Sequence, residues 1–311
     1  MARKKKNKKI RLVEIIIVII LIAIMAYLGI NFEDIEALLY GKKTVINPIT
    51  AEESQNVELV GDDILKIHFF DVGQADSILL ISDNKTMLID AGNNEDGEML
   101  VKNIEQLGIK KIDYLIGTHP HEDHIGGLDD IILNFEIGTI YMPKIQTNTK
   151  TFEDVLDAIA SKNLSISSPK VGDKFNVGNA ECEVMSIGNQ AKEEEDNLNL
   201  ASIVIRTTYK NQSYLFMADS EEENEMSRKW PKTNILKVGH HGSSTSSSQD
   251  FLNQVLPQIA IIQVGKNNDY SHPHKEVIER LEKLETLIYK TSEKGNILLE
   301  SDGINNKISF Y

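Results

Sequence analysis

THPHEDHIGG, Thr118 to Gly127, is the stretch on which the reading of this chain turns. Three of the chain's eight histidines fall inside it, and it directly follows DYLIG, a short apolar run with the pattern of a buried strand. A polar loop at the end of a buried strand is where binding and catalytic groups are commonly placed. His119, His121, Asp123 and His124 form the pattern HxHxDH. Two imidazoles at i and i+2 in a turn can face one metal ion, while the Asp–His pair faces a second. Imidazole and carboxylate donors of this kind suit zinc, iron or manganese. A merely solvated loop would not need to concentrate so rare a residue.

Around this loop, short strands and helices alternate. ILKIHFF, SILLIS and TMLID read as successive strands separated by turn residues, and Glu98–Leu107 has helical spacing ending at Gly108. ASIVIRTTY and SYLFMAD predict a hairpin across Lys210–Gln212, ILKVG and AIIQV two further apolar strands, and His274–Leu284 an amphipathic helix. TLIYKT, NILLE and KISFY close the chain as strands. Strands first, then mixed elements with hairpins, predict an α+β or layered sandwich rather than a doubly wound sheet.

The resemblance then becomes specific. HxHxDH followed by two glycines resembles the metal motif of the metallo-β-lactamase superfamily. FFDVGQADSILL (Phe69–Leu80), LIDAG (Leu88–Gly92), FMADS (Phe216–Ser220), LKVGHHGS (Leu236–Ser243) and YSHPH (Tyr270–His274) match, in order, the branch with the extracellular domain of ComEC-type DNA-uptake proteins. Secreted choline-phosphate esterases belong to the same branch. The resemblance covers about Ile64 to Tyr311 and implies a four-layer αββα sandwich with a metal site at one sheet edge.

Carried over, it implies two divalent metal ions, Zn²⁺ or Mn²⁺. His119 and His121 would hold one, Asp123 and His124 the second, and Asp219 would bridge both. One of His240 and His241 would complete the second position; in an extended segment their side chains point opposite ways, and the spacing does not say which is the ligand. Asp90 would orient the metal loop. Asp71, Gln74 and Asp76 are expected at the site's rim, Lys237 is a candidate anion contact, and His272 is expected to protonate a leaving group or hold phosphate. Many superfamily members carry one more histidine between HxHxDH and the bridging Asp, whereas residues 125–239 here contain none. Asn199 or Ser202, in NLNLAS, or water would fill that place. SSTSSS (Ser243–Ser248) is either a phosphate-binding loop or an exposed tether, and the acidic run Glu193–Asp196 a solvated loop.

Composition sets the wider frame. The 311 residues include 33 Lys+Arg and 47 Asp+Glu, a formal charge of −14. Residues 1–11 hold seven basic side chains and no acid, which leaves 26 basic against 47 acidic residues for the remainder. A domain this acidic has no long-range attraction for phosphate chains, which argues against generic nucleic-acid binding. A single cysteine, Cys182, excludes an internal disulfide framework and any CxxC zinc site. After the basic run, Val13–Ile30 is apolar apart from Glu14. A helix from Leu12 to Ile30 would rise about 28 Å, close to the ~30 Å hydrocarbon core. The run is long for a cleaved signal peptide and no A-x-A site follows, so a single uncleaved anchor is expected. The basic end then lies in the cytoplasm and the rest of the chain outside the cell membrane.

The sequence thus predicts a basic tail (1–11), an anchor (12–30), a linker (31–62) and a metallo-β-lactamase-fold domain (63–311). The expected activity is metal-dependent hydrolysis of phosphoesters, nucleic acid included, with no protein partner. The alternatives are a small ester, lactone or choline-phosphate hydrolase, or a non-catalytic ComEC-like binding module.

Overall fold

A computed structural model of the protein describes residues 50–311, apart from residues 146 and 189–196. The expected tail and anchor, and the acidic run Glu193–Asp196, lie outside the described residues. Among the described residues no helix is long and apolar enough to cross a membrane.

Two mixed sheets make the framework. The first has eight strands in the order β15-β14-β1-β2-β3-β4-β5-β6: Asn306–Phe310, Ile297–Ser301, Leu65–Phe69, Ile78–Ser82, Lys85–Ile89, Lys111–Ile116, Glu136–Tyr141 and Ile166–Ser167. The second has seven, β13-β12-β11-β10-β9-β8-β7: Leu287–Lys290, Ile259–Ile262, Ile235–Lys237, Gln212–Phe216, Val204–Tyr209, Ala180–Ser186 and Lys174–Val177. The period-2 alternation of strands sorts their side chains into two layers. Ile78 and Leu80 face the second sheet and pack with Ile205, Tyr214, Phe216 and Ile261. Leu79, between them, faces outward with Leu88 and Leu115.

Those outer faces are covered by helices. On the first sheet lie α2 (Gly97–Gln106), α4 (Leu128–Asn134) and α5 (Lys150–Ser161), which contribute Leu100, Ile104, Leu128, Ile131, Phe152 and Val155. On the second lie α7 (Gln249–Val255) and α8 (Lys275–Glu282), with Phe251, Leu252, Val277 and Leu281 against Leu236, Ala260 and Ile262. Burial of each such side chain is worth about 1.5–3 kcal/mol, which makes the three apolar layers the main driving force for folding. The expected αββα sandwich is present.

The stretch read as linker, 31–62, contains a helix, α1 (Ala51–Asn56), inside the compact unit Pro48–Tyr311. Its Ser54 is fully buried, 2.6 Å by hydroxyl from the Tyr289 hydroxyl. The short α3 (Glu122–Ile125), α6 (Glu222–Met226) and α9 (Thr291–Lys294) complete the helices described.

Strands β3 and β4 are parallel, as are β10, β11 and β12. Asp90, the His119–His124 loop, Asp219, the His240–His241 turn and Gln263 all follow the carboxyl ends of these strands. The functional candidates therefore share one edge of the sandwich.

Candidate metal centre

The loop after β4 is held by main-chain bonds before any side chain is considered. The His124 carbonyl accepts the Ala91 N–H at 2.8 Å, the Asp123 carbonyl accepts that of Asp76 at 3.0 Å, and Gly126 donates to the Gly92 carbonyl at 2.9 Å. This close approach explains the paired glycines. A Cβ on Gly126 would meet the Asn93 carbonyl carbon at 2.2 Å, and one on Gly127 the Ala91 oxygen at 2.5 Å.

Four donor atoms from this loop and the second sheet converge. His124 Nε2 lies 3.2 Å from Asp219 Oδ1 and 3.8 Å from Asp123 Oδ2; His241 Nε2 lies 3.2 Å from Asp123 Oδ2 and 3.5 Å from Asp219 Oδ1. Ligands about 2.1 Å from a tetrahedral ion are about 3.4 Å apart, so these separations fit one divalent cation. His124 Nε2 and Asp219 Oδ1 are buried without a hydrogen-bond partner, which costs free energy unless a cation joins them. The residues present therefore fit a metal ion.

The outer ring nitrogens fix the imidazoles. His124 Nδ1 donates to Asp90 Oδ2 at 2.8 Å, and Asp90 accepts the Thr118 N–H and hydroxyl at 2.8 and 2.7 Å. His241 Nδ1 donates to the Gln263 carbonyl at 3.0 Å, with Asp76 Oδ1 3.3 Å away. Both rings thus present Nε2 to the centre, the orientation a ligating histidine needs.

His119 and His121 form a second, smaller set: His119 Nε2 is 3.0 Å from His121 Nδ1. Among the described residues no further His, Cys, Asp or Glu joins these two in a cluster of three. Ser202 lies 3.5 Å from His119 Nδ1, behind the ring and away from its ligating nitrogen. Asn199 lines the cavity, its amide nitrogen 3.2 Å from Glu221 and its buried Oδ1 unpartnered.

Charge separates the two sets. For His241, burial opposes protonation, but the Asp219 and Asp76 carboxylates outweigh it and push the imidazole up to about 10. His124 is likewise raised, by Asp219 and Asp123 against burial. Asp219 and Asp123 are depressed despite burial, chiefly by His124. Burial, joined by the charge of His124, holds His119 well below the usual imidazole range, and burial also lowers His121. Without metal, one set is a nest of charges and the other a pair of neutral rings hydrogen-bonded to each other.

The HHG turn departs from expectation. His240 (φ 48°, ψ 48°) and His241 (φ 51°, ψ 20°) are both left-handed, not extended. Both rings consequently line the same cavity instead of pointing apart. Left-handed backbone at two successive non-glycine residues costs on the order of 1–3 kcal/mol each, a strain typical of functional turns. His241 is the one grouped with Asp123, His124 and Asp219. His240 has Nε2 3.6 Å from Asp219 Oδ2 and Nδ1 3.3 Å from Glu221. Glu221, overlooked in the sequence because nothing in FMADSE marks it, also accepts from Asn197 and Thr245. Burial opposes its ionisation, but these contacts hold it at about 2.

Three expectations need correction. Lys237 is no anion contact: it is buried, and its ammonium lies 2.5 Å from Asp76 Oδ2, because an unpaired ammonium there would be prohibitive. Asp71 is not at the cavity rim; its carboxylate is exposed and turned back toward the Gly73 N–H. Ser243–Ser248 is neither a free phosphate loop nor a tether. Ser246 and Ser247 are buried, and the Ser247 and Ser248 N–H groups donate to Glu225. Gln74 and Asp76 do adjoin the centre. Gln263 holds His241 through its main-chain carbonyl, a contact that no side-chain pattern in AIIQV announces.

A cavity of about 460 Å³ opens over the centre, lined by Gln74, Asn93, His121, Asn199, His240 and His272 among others. Gln74 Oε1 accepts the Gly265 N–H at 3.1 Å, which turns Nε2 toward His272 Nδ1 at 3.2 Å. His272 Nε2 is then the protonated nitrogen. Burial, with the neighbouring charge of His240, lowers this imidazole to about 4.

A family model described as the metallo-beta-lactamase superfamily matches residues 70–266. The chain is 29% identical over 254 residues to ComE operon protein 3 of Bacillus subtilis, covering 75% of this chain and 32% of that protein. It is 27% identical over 239 residues to Recombination protein 2 of Haemophilus influenzae, covering 75% and 28%. Both are competence-related proteins of the ComEC type, and the chain spans about a third of their length. Among solved structures, the metallo-beta-lactamase fold protein YhfI from Bacillus subtilis superposes with a TM-score of 0.52 at 12% identity, over 77% of this chain and 100% of that one.

Proposed function

Because the chain belongs to the metallo-β-lactamase superfamily, we propose that it is a metal-dependent phosphoesterase, with phosphodiesters of nucleic acid among its substrates. The observation that carries the reading is the convergence of His124 Nε2, His241 Nε2, Asp123 Oδ2 and Asp219 Oδ1 below an open polar cavity. A decayed binding module would have no reason to keep four donors, three of them buried, aimed at one point.

A divalent ion bound there, zinc or manganese, supplies Lewis acidity and a nucleophilic water at neutral pH. The protein's groups do the rest. Asp123, about 30% exposed, faces the cavity and is placed to ligate and to accept a proton from the attacking water. Asp219 reaches the four-donor set through Oδ1 and would help hold the ion there, while its Oδ2 faces His240. His119 and His121 would hold the second ion, with Asn199 or water beside them. His272, neutral at pH 7, donates from Nε2 to a phosphate oxygen rather than delivering a full proton.

The domain would stand outside the cytoplasmic membrane on the anchor expected over residues 12–30. Protease added to wall-stripped cells should remove it and leave a short membrane stub; full protection of the domain would reverse the orientation. The activity is tested by metal analysis of the purified chain and hydrolysis of bis-p-nitrophenyl phosphate, single-stranded DNA and a lactone. Turnover of the lactone alone would move the substrate class to esters, and turnover of none by metal-loaded protein would favour a binding module.

A further inference from the structure

Tyr270 is 67% exposed, yet it is not a loose surface side chain. Its ring stacks on His272 at a centroid separation of 5.6 Å and an interplanar angle of 26°. His272 in turn meets His240 edge-on at 5.5 Å, which ties the stack to the metal centre. The loop bearing Tyr270 is laced by one side chain. Asn268 donates to the Gly265 and His272 carbonyls at 2.9 and 2.7 Å and accepts the Tyr270 and His272 N–H groups at 3.2 and 3.0 Å. One face of the Tyr270 phenol is occupied by His272, and the ring borders the cavity. An aromatic ring ordered in advance binds a flat partner with little loss of side-chain freedom.

We propose that Tyr270 is a stacking platform for one unpaired nucleobase, which makes the substrate a nucleotide or the end of a single strand. The proposal rests on the phosphoesterase reading of the same centre. A flat partner fits better than a quaternary ammonium, since an ammonium cage needs several aromatic walls and, among the described residues, Tyr270 is the one tyrosine, phenylalanine or tryptophan bordering the cavity. A single stranded end fits better than a duplex, whose bases are already stacked on one another. Beyond residue 11 the chain holds 26 basic against 47 acidic residues, a balance that gives a polyanion no long-range attraction, so recognition has to come from a local contact.

The test is calorimetric binding of three small probes to the manganese-loaded full chain in detergent. 2′-Deoxyadenosine 5′-monophosphate should bind about ten-fold tighter than 2-deoxyribose 5-phosphate, within the roughly 5- to 150-fold expected of one stacked base. Tyr270→Ala should erase that preference and leave the sugar phosphate's affinity unchanged, and Tyr270→Phe should keep it. Equal binding of the two probes, a preference surviving in Tyr270→Ala, or tighter binding of phosphocholine would each overturn the platform. Hydrolysis of a dinucleotide is followed separately. A base preference with no hydrolysis leaves the platform standing and removes the enzyme reading; hydrolysis with no preference does the reverse.

Discussion

The two halves of the centre are built in opposite ways. His119 and His121 come from one loop, two residues apart, and meet at 3.0 Å without a third His, Cys, Asp or Glu among the described residues. The other set draws Asp123 and His124 from that loop, Asp219 from the end of β10 and His241 from the turn after β11. The first can be assembled by a short peptide. The second exists only when both sheets have packed. It has twice the donors, held by Asp90, Asp76 and Gln263 from behind. Local sets are easy to see in a sequence and weak as ligands, and assembled sets are the reverse.

The contrast breaks first at Asp123. Asp123→Ala should lower kcat by at least a hundred-fold, about 2.7 kcal/mol of transition-state stabilisation, with circular dichroism and melting unchanged. Its side chain lies on a loop and fills no core space. A folded variant at wild-type rate under both Mn²⁺ and Zn²⁺ would remove the four-donor set from catalysis.

Metal titration of the apo-protein should show two unequal steps. Calorimetry of His241→Ala should lose the tighter step and that of His121→Ala the weaker one. Asp90→Asn should weaken the tighter step about 10- to 100-fold, since it touches the metal only through His124. Two equal steps in the wild type would erase the distinction.

Acid and alkali should also tell the halves apart in the metal-free protein. His241, raised to about 10, contributes stability that is complete below the unfolded value near 6.5 and lost as pH rises toward 10. His119 and His121 are lowered, so stability falls as pH drops below about 6.5 and the unfolded chain takes up protons the folded one refuses. His68 and His272, both near 4, add to that acid limb. Calorimetric Tm between pH 5 and 9.5 should therefore peak near neutrality and fall by a few degrees on each side. His241→Gln should shrink the alkaline limb, to which the raised His124 also contributes. A Tm that climbs steadily to pH 9.5 would contradict the charge nest.

The smallest effect is expected at Asn199. If its free Oδ1 assists the two-imidazole set, Asn199→Ala should weaken the second titration step by less than about ten-fold and leave the first untouched.

What the sequence disclosed follows the same division. The strands from Leu65 to Ile89, the hairpin at Lys210 and the final three strands were legible because period-2 apolar patterns report burial directly. The HxHxDH loop, Asp219 and Asp90 were legible through local motifs. The choice of His241 over His240 was not, because it depends on a left-handed turn that spacing cannot reveal. Glu221 and Gln263 act through neighbours distant in sequence, so no local pattern marked them. Lys237 misled for a related reason: a lysine beside an apolar strand looks the same in sequence whether it faces solvent or a buried Asp76.

The main-chain stitching of Asp76, Ala91, Gly92 and Gly126 to the metal loop has a consequence for redesign. The address of the ion is written in peptide groups, and the side chains decide only which ion answers to it. Exchanging Asp123 or His241 for softer or harder donors should retune the centre's choice of metal without rebuilding the socket. Slow amide exchange at those four residues in the apo-protein would mark the socket as ready-made.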